Sequence, residues 1–136
     1  MGYVAQSVRD KGGKVIGFII EELIRNQEAQ IRYENDIVVK DNKACREAMN
    51  EHSAAFISLP GGFWTLEEIL QAISWSQSSA NPKPVVLVNT NGYYTPLKAF
   101  FDNGISTGII DKSRKDPVII CDTPAEAVAA VKRIIG

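Results

Sequence analysis

The chain alternates short apolar runs with stretches in which apolar residues recur every three or four positions. Val4, Ala5 and Val8 have helical spacing over Tyr3 to Lys11, and Gly12-Gly13 is a helix-stop signal. Val15 to Ile20 is a continuous β-branched run and predicts a buried strand. Residues 21 to 35 are polar and predict a loop or short helix. Asp36 to Val39 predicts a second strand. Asp41 or Asn42 caps a helix carrying Ala44, Ala48 and Met49. Ala54 to Leu59 predicts a third strand, ended by Pro60-Gly61-Gly62. Leu66, Ile69, Leu70 and Ile73 then form one helical stripe, broken at Asn81 to Pro84. Pro84 to Asn89 predicts a fourth strand. Thr95-Pro96 reads as an N-cap and first helical residue, Leu97, Phe100 and Phe101 as the buried face, and Gly104 as the stop. Pro117 to Cys121 predicts a fifth strand. Thr123-Pro124-Ala125-Glu126 is a capping box opening a last helix with Val128, Val131, Ile134 and Ile135.

Strands alternating with amphipathic helices define an α/β fold with a parallel sheet. Ligands on such sheets bind outside the carboxyl ends of the strands. The loops after Ile20, Val39, Leu59, Asn89 and Cys121 are therefore where chemistry is expected.

Composition narrows the function classes. The 136 residues suit a single domain, 45% are hydrophobic, and 15 basic residues nearly balance 16 acidic ones. That balance gives no electrostatic footprint for nucleic acid. No apolar run reaches membrane-spanning length, and the first residues carry no secretory signal, so a cytoplasmic protein is expected. Cys45 and Cys121 stand in no CxxC spacing, and His52 is the one histidine, which leaves no basis for a metal site. His52 reads as a packing or capping residue. Cys45 has no evident base to make it a nucleophile. Trp75 continues a helix face and reads as core, and Asp111 to Asp116 as a solvated charged loop.

The loop after Leu59 reads Pro60-Gly61-Gly62-Phe63-Trp64-Thr65-Leu66-Glu67-Glu68. Two glycines between a buried strand and a helix start would turn backbone N–H groups towards an anion, and Thr65 would add a hydroxyl. The same residues also read as a tight turn followed by a Thr65–Glu68 capping box. Spacing alone leaves both readings open.

PGGFWTLEE resembles the PGGxGTxxE signature of the LOG ("Lonely Guy") family, the cytokinin riboside 5′-monophosphate phosphoribohydrolases, often mislabelled lysine decarboxylases. The likeness extends over residues 1 to 121. MGYVAQSVRDKGGKVIGFII resembles the helix and strand after the family's GGGxxGxMG turn. DIVVKDNKACREAMNEHSAAFISLPGG resembles its VVxxMHxRKxxM segment, and the stretch with Asn91-Gly92-Tyr93-Tyr94 resembles its DGYY turn. The resemblance implies a Rossmann-like three-layer parallel sheet. It implies cleavage of the N-glycosidic bond of a nucleoside 5′-monophosphate, AMP or a cytokinin nucleotide, to base and ribose 5-phosphate.

By the same resemblance the catalytic carboxylate falls on Glu68. The phosphate-binding positions fall on Gly61, Gly62 and Thr65, and the RKxxM motif runs over Cys45, Arg46 and Met49. Arg46 is then a candidate catalytic cation, with Lys43 another of the same rank, and Met49 and Trp64 are candidate substrate contacts. Tyr93 and Tyr94 either shape the loop beside the site or pack in the core. No lysine has a pyridoxal-phosphate setting, and no cofactor is expected.

Three departures from the family pattern stand out. Cys45 occupies the arginine position and lacks the guanidinium fork. Trp64 occupies a glycine position, where its ring would either stack on a base or fill the pocket. The chain opens at the MG of the GGGxxGxMG turn, which implies a truncated domain over 1–136 lacking the family's first two strands and first helix. Re-paired strands and an obligate homo-oligomer, a dimer, are then expected. The departures also support a second reading, a catalytically inactive relative acting as an oligomeric small-molecule- or protein-binding module.

Overall fold

The computed structural model describes residues 1–31, 33–111 and 118–136. The charged stretch from 112 to 116 and Pro117, the expected first residue of the fifth strand, lie outside the described residues. Two compact units are resolved, Met1–His52 and Ser53–Gly136, each described by itself.

The first unit holds α1 (Gly2–Asp10), β1 (Phe18–Ile20), α2 (Glu21–Arg25), β2 (Ile37–Val39) and α3 (Asn42–His52). Gly12 has φ +76. Its N–H donates to the Arg9 carbonyl and that of Gly13 to the Val8 carbonyl. This paired arrangement closes α1 where the glycines predicted a stop. β1 and β2 pair in parallel, Phe18 opposite Ile37 and Ile20 opposite Val39. The paired part of the Val15 to Ile20 run is its last three residues, because a ladder exists only where a partner strand runs alongside. The Asp36 carboxylate accepts from the Gly17 N–H at 3.0 Å and the Tyr33 N–H at 2.9 Å, tying both strand entries together. Asp41 caps α3 by accepting from the Ala44 N–H at 2.9 Å.

The second unit holds β3 (Phe56–Ser58), α4 (Phe63–Ser78), β4 (Val85–Val88), a 3₁₀ turn (Thr90–Gly92), α5 (Thr95–Ser106), β5 (Val118–Cys121) and α6 (Pro124–Ile135). Its sheet has the order β3-β4-β5 with both pairs parallel. β4 is central and fully buried, as its all-apolar sequence requires. Val85 and Leu87 pack on Ile69, Ala72 and Tyr94, while Val86 and Val88 pack on Ala127. Alternate side chains of one strand thus serve two helical layers, and this unit is a three-layer parallel α/β sandwich.

Several expectations about helix faces and ends are corrected. Leu70 is 45% exposed and Phe100 67% exposed, and Val128, Ile134 and Ile135 also face outward. Ile69, Ala72 and Ser76 of α4, and Ala127 and Ala130 of α6, form the buried faces instead. Small residues let a helix approach the sheet, and a stripe counted in large apolar residues misses them. Tyr94 rather than Thr95 is the N-cap of α5, and no side-chain bond caps it. Gly104 lies inside α5, where a Cβ would stand 2.6 Å from the Ile110 side chain. Gly108 has φ +75 and follows the true end. The Thr123–Glu126 capping box is formed as expected, opening α6.

Candidate functional site

In a parallel sheet the carboxyl ends of all strands share one edge. The loop after β3, Leu59 to Gly62, and the turn after β4, Asn89 to Tyr94, are therefore neighbours. Helix α4 begins three residues earlier than the capping-box reading requires. Gly62 is its N-cap with φ −90 and ψ −155, and no side-chain cap bond forms. Its carbonyl accepts from the Leu66 N–H at 3.0 Å. Thr65 is consequently the third helical residue, and the Thr65–Glu68 capping box is not formed. No acidic residue lies in the first turn of α4. The partial positive charge of that end is not offset by a carboxylate within the turn.

The two glycines of the loop have different reasons. Neither has a positive φ, so neither serves a left-handed turn. A Cβ on Gly61 would collide with Oγ1 of Thr65, whereas a Cβ on Gly62 would meet nothing within 4 Å. Gly61 makes room for the threonine, and Gly62 faces open space. Phe63 and Trp64 follow, Trp64 being 69% exposed. Glu68 lies exposed on the second turn of α4 and Ile69, next in sequence, is buried.

Two adjacent tyrosines hold this loop from the β4 side. The Tyr94 hydroxyl lies 2.7 Å from the Leu59 carbonyl, to which it donates, and 3.2 Å from the Ser58 hydroxyl. The Tyr93 hydroxyl donates to the Gly61 carbonyl at 2.5 Å. Tyr94 is 4% exposed, its ring part of the core, and Tyr93 is 52% exposed. The rings meet edge to face at 5.1 Å. Asn89 fixes their turn. Its side-chain oxygen accepts from the Tyr94 N–H at 2.7 Å and its amide donates to the Thr95 hydroxyl at 3.2 Å. Asn89 is a site-shaping residue missed in the sequence reading. An asparagine at a strand end ahead of Asn91-Gly92 is its only local signal. For the tyrosines, the two alternatives of the sequence reading hold together: Tyr94 packs in the core, and both shape the loop.

Gly61, Gly62, Trp64, Thr65 and Glu68 thus share one strand–loop–helix segment of the second unit. Arg46 and Met49 stand half-buried on α3 of the first unit. On the same helix the Cys45 thiol lies 4.0 Å from the Phe18 carbonyl, and Lys43 pairs with Glu47 at 3.7 Å. His52 packs on Phe18 with ring centroids 5.3 Å apart, and its Nδ1 lies 2.8 Å from the Ala48 carbonyl. That is the packing role expected of it. Burial, with Glu126 and then Asp122 adding and Arg133 opposing, holds the Cys121 thiol above the usual cysteine range. A thiol so placed stays protonated and is a poor nucleophile. Among the described residues no cluster of His, Cys, Asp and Glu is arranged to hold a metal ion, and no helix is long and apolar enough to cross a membrane.

A parallel α/β sheet with a double-glycine loop entering a helix at its carboxyl edge defines a Rossmann-like class of α/β proteins. Within that class the chain matches, over residues 1–131, the family model described as "Possible lysine decarboxylase", and it belongs to that family, in its LOG-type branch. A probable cytokinin riboside 5′-monophosphate phosphoribohydrolase of Oryza sativa subsp. japonica is 36% identical over 126 residues, 93% of this chain and 55% of its own length. A cytokinin riboside 5′-monophosphate phosphoribohydrolase of Arabidopsis thaliana is 38% identical over 128 residues, 94% of this chain and 56% of its own. A second Arabidopsis thaliana enzyme of the same name is 38% identical over 94% of this chain and 60% of its own. The chain spans about half the length of the curated relatives it matches. All three carry the names of enzymes, and none that of a non-catalytic binding module.

Proposed function

We propose that this protein is a LOG-type phosphoribohydrolase that cleaves the N-glycosidic bond of a nucleoside 5′-monophosphate, AMP or a cytokinin nucleotide, to base and ribose 5-phosphate. The observation that carries the reading is the β3–α4 segment. An open glycine stands at the N-terminus of a helix whose first turn holds no carboxylate, and Glu68 stands one turn further on. The names of the relatives supply the substrate class.

In this reading the phosphate is held by the backbone at Gly61 and Gly62 and by the Thr65 hydroxyl. Bond cleavage develops oxocarbenium character on the ribose, and the Glu68 carboxylate stabilises that charge or activates the attacking water. Arg46 is the proposed cation of the site. Trp64 and Met49 are proposed substrate contacts, Trp64 by stacking on the base. No cofactor enters the scheme. The family match spans both compact units, which supports reading 1–136 as one domain. We further place the protein in the cytoplasm as a homodimer, without nucleic-acid or membrane partners. Light scattering at micromolar concentration tests the dimer, and a monodisperse monomer overturns it.

The decisive experiment incubates the purified protein with AMP and with isopentenyl-AMP and assays ribose 5-phosphate. Product is expected, and Glu68→Ala is expected to lower its rate by roughly 10²- to 10³-fold, typical for loss of one transition-state partner. No product from either nucleotide overturns the reading.

A further inference from the structure

We propose that Tyr93 is a positioning residue for the anion subsite, acting through the Gly61–Gly62 peptide. This rests on the phosphoribohydrolase reading for the identity of the anion and on geometry for everything else. The Tyr93 hydroxyl reaches back 32 residues to donate to the Gly61 carbonyl at 2.5 Å. Among the described residues no peptide bond is cis. In a planar trans peptide the carbonyl and the following N–H point in opposite directions. Holding the Gly61 carbonyl towards Tyr93 therefore aims the Gly62 N–H away from it.

The surroundings give that aim a use. A side-chain atom at Gly62 would meet nothing within 4 Å. Gly62 is the N-cap of α4, so its N–H stands beside the first-turn N–H groups of the helix. A peptide preceding a glycine rotates easily unless something holds it. Tyr94 steadies the chain just upstream through the Leu59 carbonyl, and its buried ring braces Tyr93 edge to face. The loop donor is thus set by a hydroxyl on the neighbouring strand's turn. A phosphate monoester then meets an oriented N–H instead of having to order one.

Tyr93→Phe keeps the ring and deletes the hydroxyl, so it isolates the bond. Three quantities are read for wild type, Tyr93→Phe and Tyr94→Phe: KM and kcat for AMP, the melting temperature, and the NMR backbone order parameter of Gly62. Tyr93→Phe is expected to raise KM by roughly 3- to 10-fold, the range for loss of one hydrogen bond, with the melting temperature little changed. The Gly62 order parameter is expected to fall from about 0.85 to below about 0.6. Tyr94→Phe is expected to lower the melting temperature, since its hydroxyl belongs to a buried residue. An unchanged KM and an unchanged Gly62 order parameter in Tyr93→Phe overturn the proposal. If the wild-type protein cleaves no nucleotide, the substrate reading fails, and the order parameter alone decides whether Tyr93 sets the Gly62 peptide.

Discussion

The hydroxyl of Tyr94 donates to the carbonyl of Leu59 at 2.7 Å across 35 residues of sequence. The bond joins the turn after β4 to the loop after β3, next to a core in which the Tyr94 ring packs on Ile69, Ala72, Val85 and Leu87. One side chain therefore serves the core with its ring and the loop with its oxygen. Tyr94→Phe separates the two. It leaves the ring in place and leaves the Leu59 carbonyl and Ser58 hydroxyl without that partner. We expect a loss of about 1–2 kcal/mol, read as a lower urea midpoint with unchanged m-value. An unaltered midpoint would show that water replaces the hydroxyl at no cost.

Gly61 and Gly62 are expected to respond differently to the same added methyl. In Gly61→Ala the new Cβ meets the Thr65 side chain, and overpacking of this kind costs roughly 1–3 kcal/mol. In Gly62→Ala the Cβ enters open space at an ordinary φ. The weaker N-cap is offset by reduced unfolded-state freedom, so stability should stay within about 1 kcal/mol. The phosphate is proposed to lie against the backbone at Gly61 and Gly62, so a methyl at Gly62 should weaken AMP binding while the protein folds normally. Calorimetric titration alongside thermal melts checks the pair. Undiminished AMP affinity in Gly62→Ala would move the anion elsewhere.

The capping box of α6 offers a test of local structure away from the site. The Thr123 hydroxyl accepts from the Glu126 N–H at 3.2 Å, and the Glu126 carboxylate accepts from the Thr123 N–H at 3.2 Å. Thr123→Ala should cost about 1 kcal/mol, with Glu126→Ala costing less than the same again once Thr123 is gone, since the two act together. A double-mutant cycle by chemical denaturation measures the coupling, and strictly additive losses would contradict it.

Cys121 predicts a direction of pH dependence. Its thiol is held above the usual range chiefly by burial, so the unfolded chain loses this proton at lower pH than the folded one. The contribution to stability is complete below the unfolded-state pKa and is lost as pH rises through the folded-state pKa. Between neutral and alkaline pH the urea midpoint should fall more for the wild type than for Cys121→Ala. Parallel pH curves for the two proteins would exclude the thiol as a source of alkaline destabilisation.

Most of the element order is legible in the sequence because β4 and its neighbours are apolar runs bounded by Pro and Gly. The run PVVLVN needs no alternation to be read, since β4 is buried on both faces. Helix registers are less legible than the strands. Leu66, Ile69 and Ile73 lie on or beside the inner face of α4, but Leu70 does not, because Ala72 and Ser76 make the close approach to the sheet. Thr65 carries a cap signature but sits inside the helix, since Gly62 two residues before Trp64 already supplies the N-cap geometry. The acceptors of Tyr93 and Tyr94 leave no local trace at all. They are backbone carbonyls brought near by a parallel crossover, and any residue has a carbonyl.

The central place of β4 has a consequence for how the loop comes to exist. β3 and β5 reach β4 only through long connections that include α4 and α5, so neither pairing is local and each requires closing a large loop of chain. The carbonyls of Leu59 and Gly61 find their hydroxyl partners only after the β3–β4 crossover has closed. A chain caught partway through folding therefore holds no shaped loop. Loss of the loop geometry should accompany opening of the sheet, so its amides should exchange with solvent in the same cooperative step as those of β4.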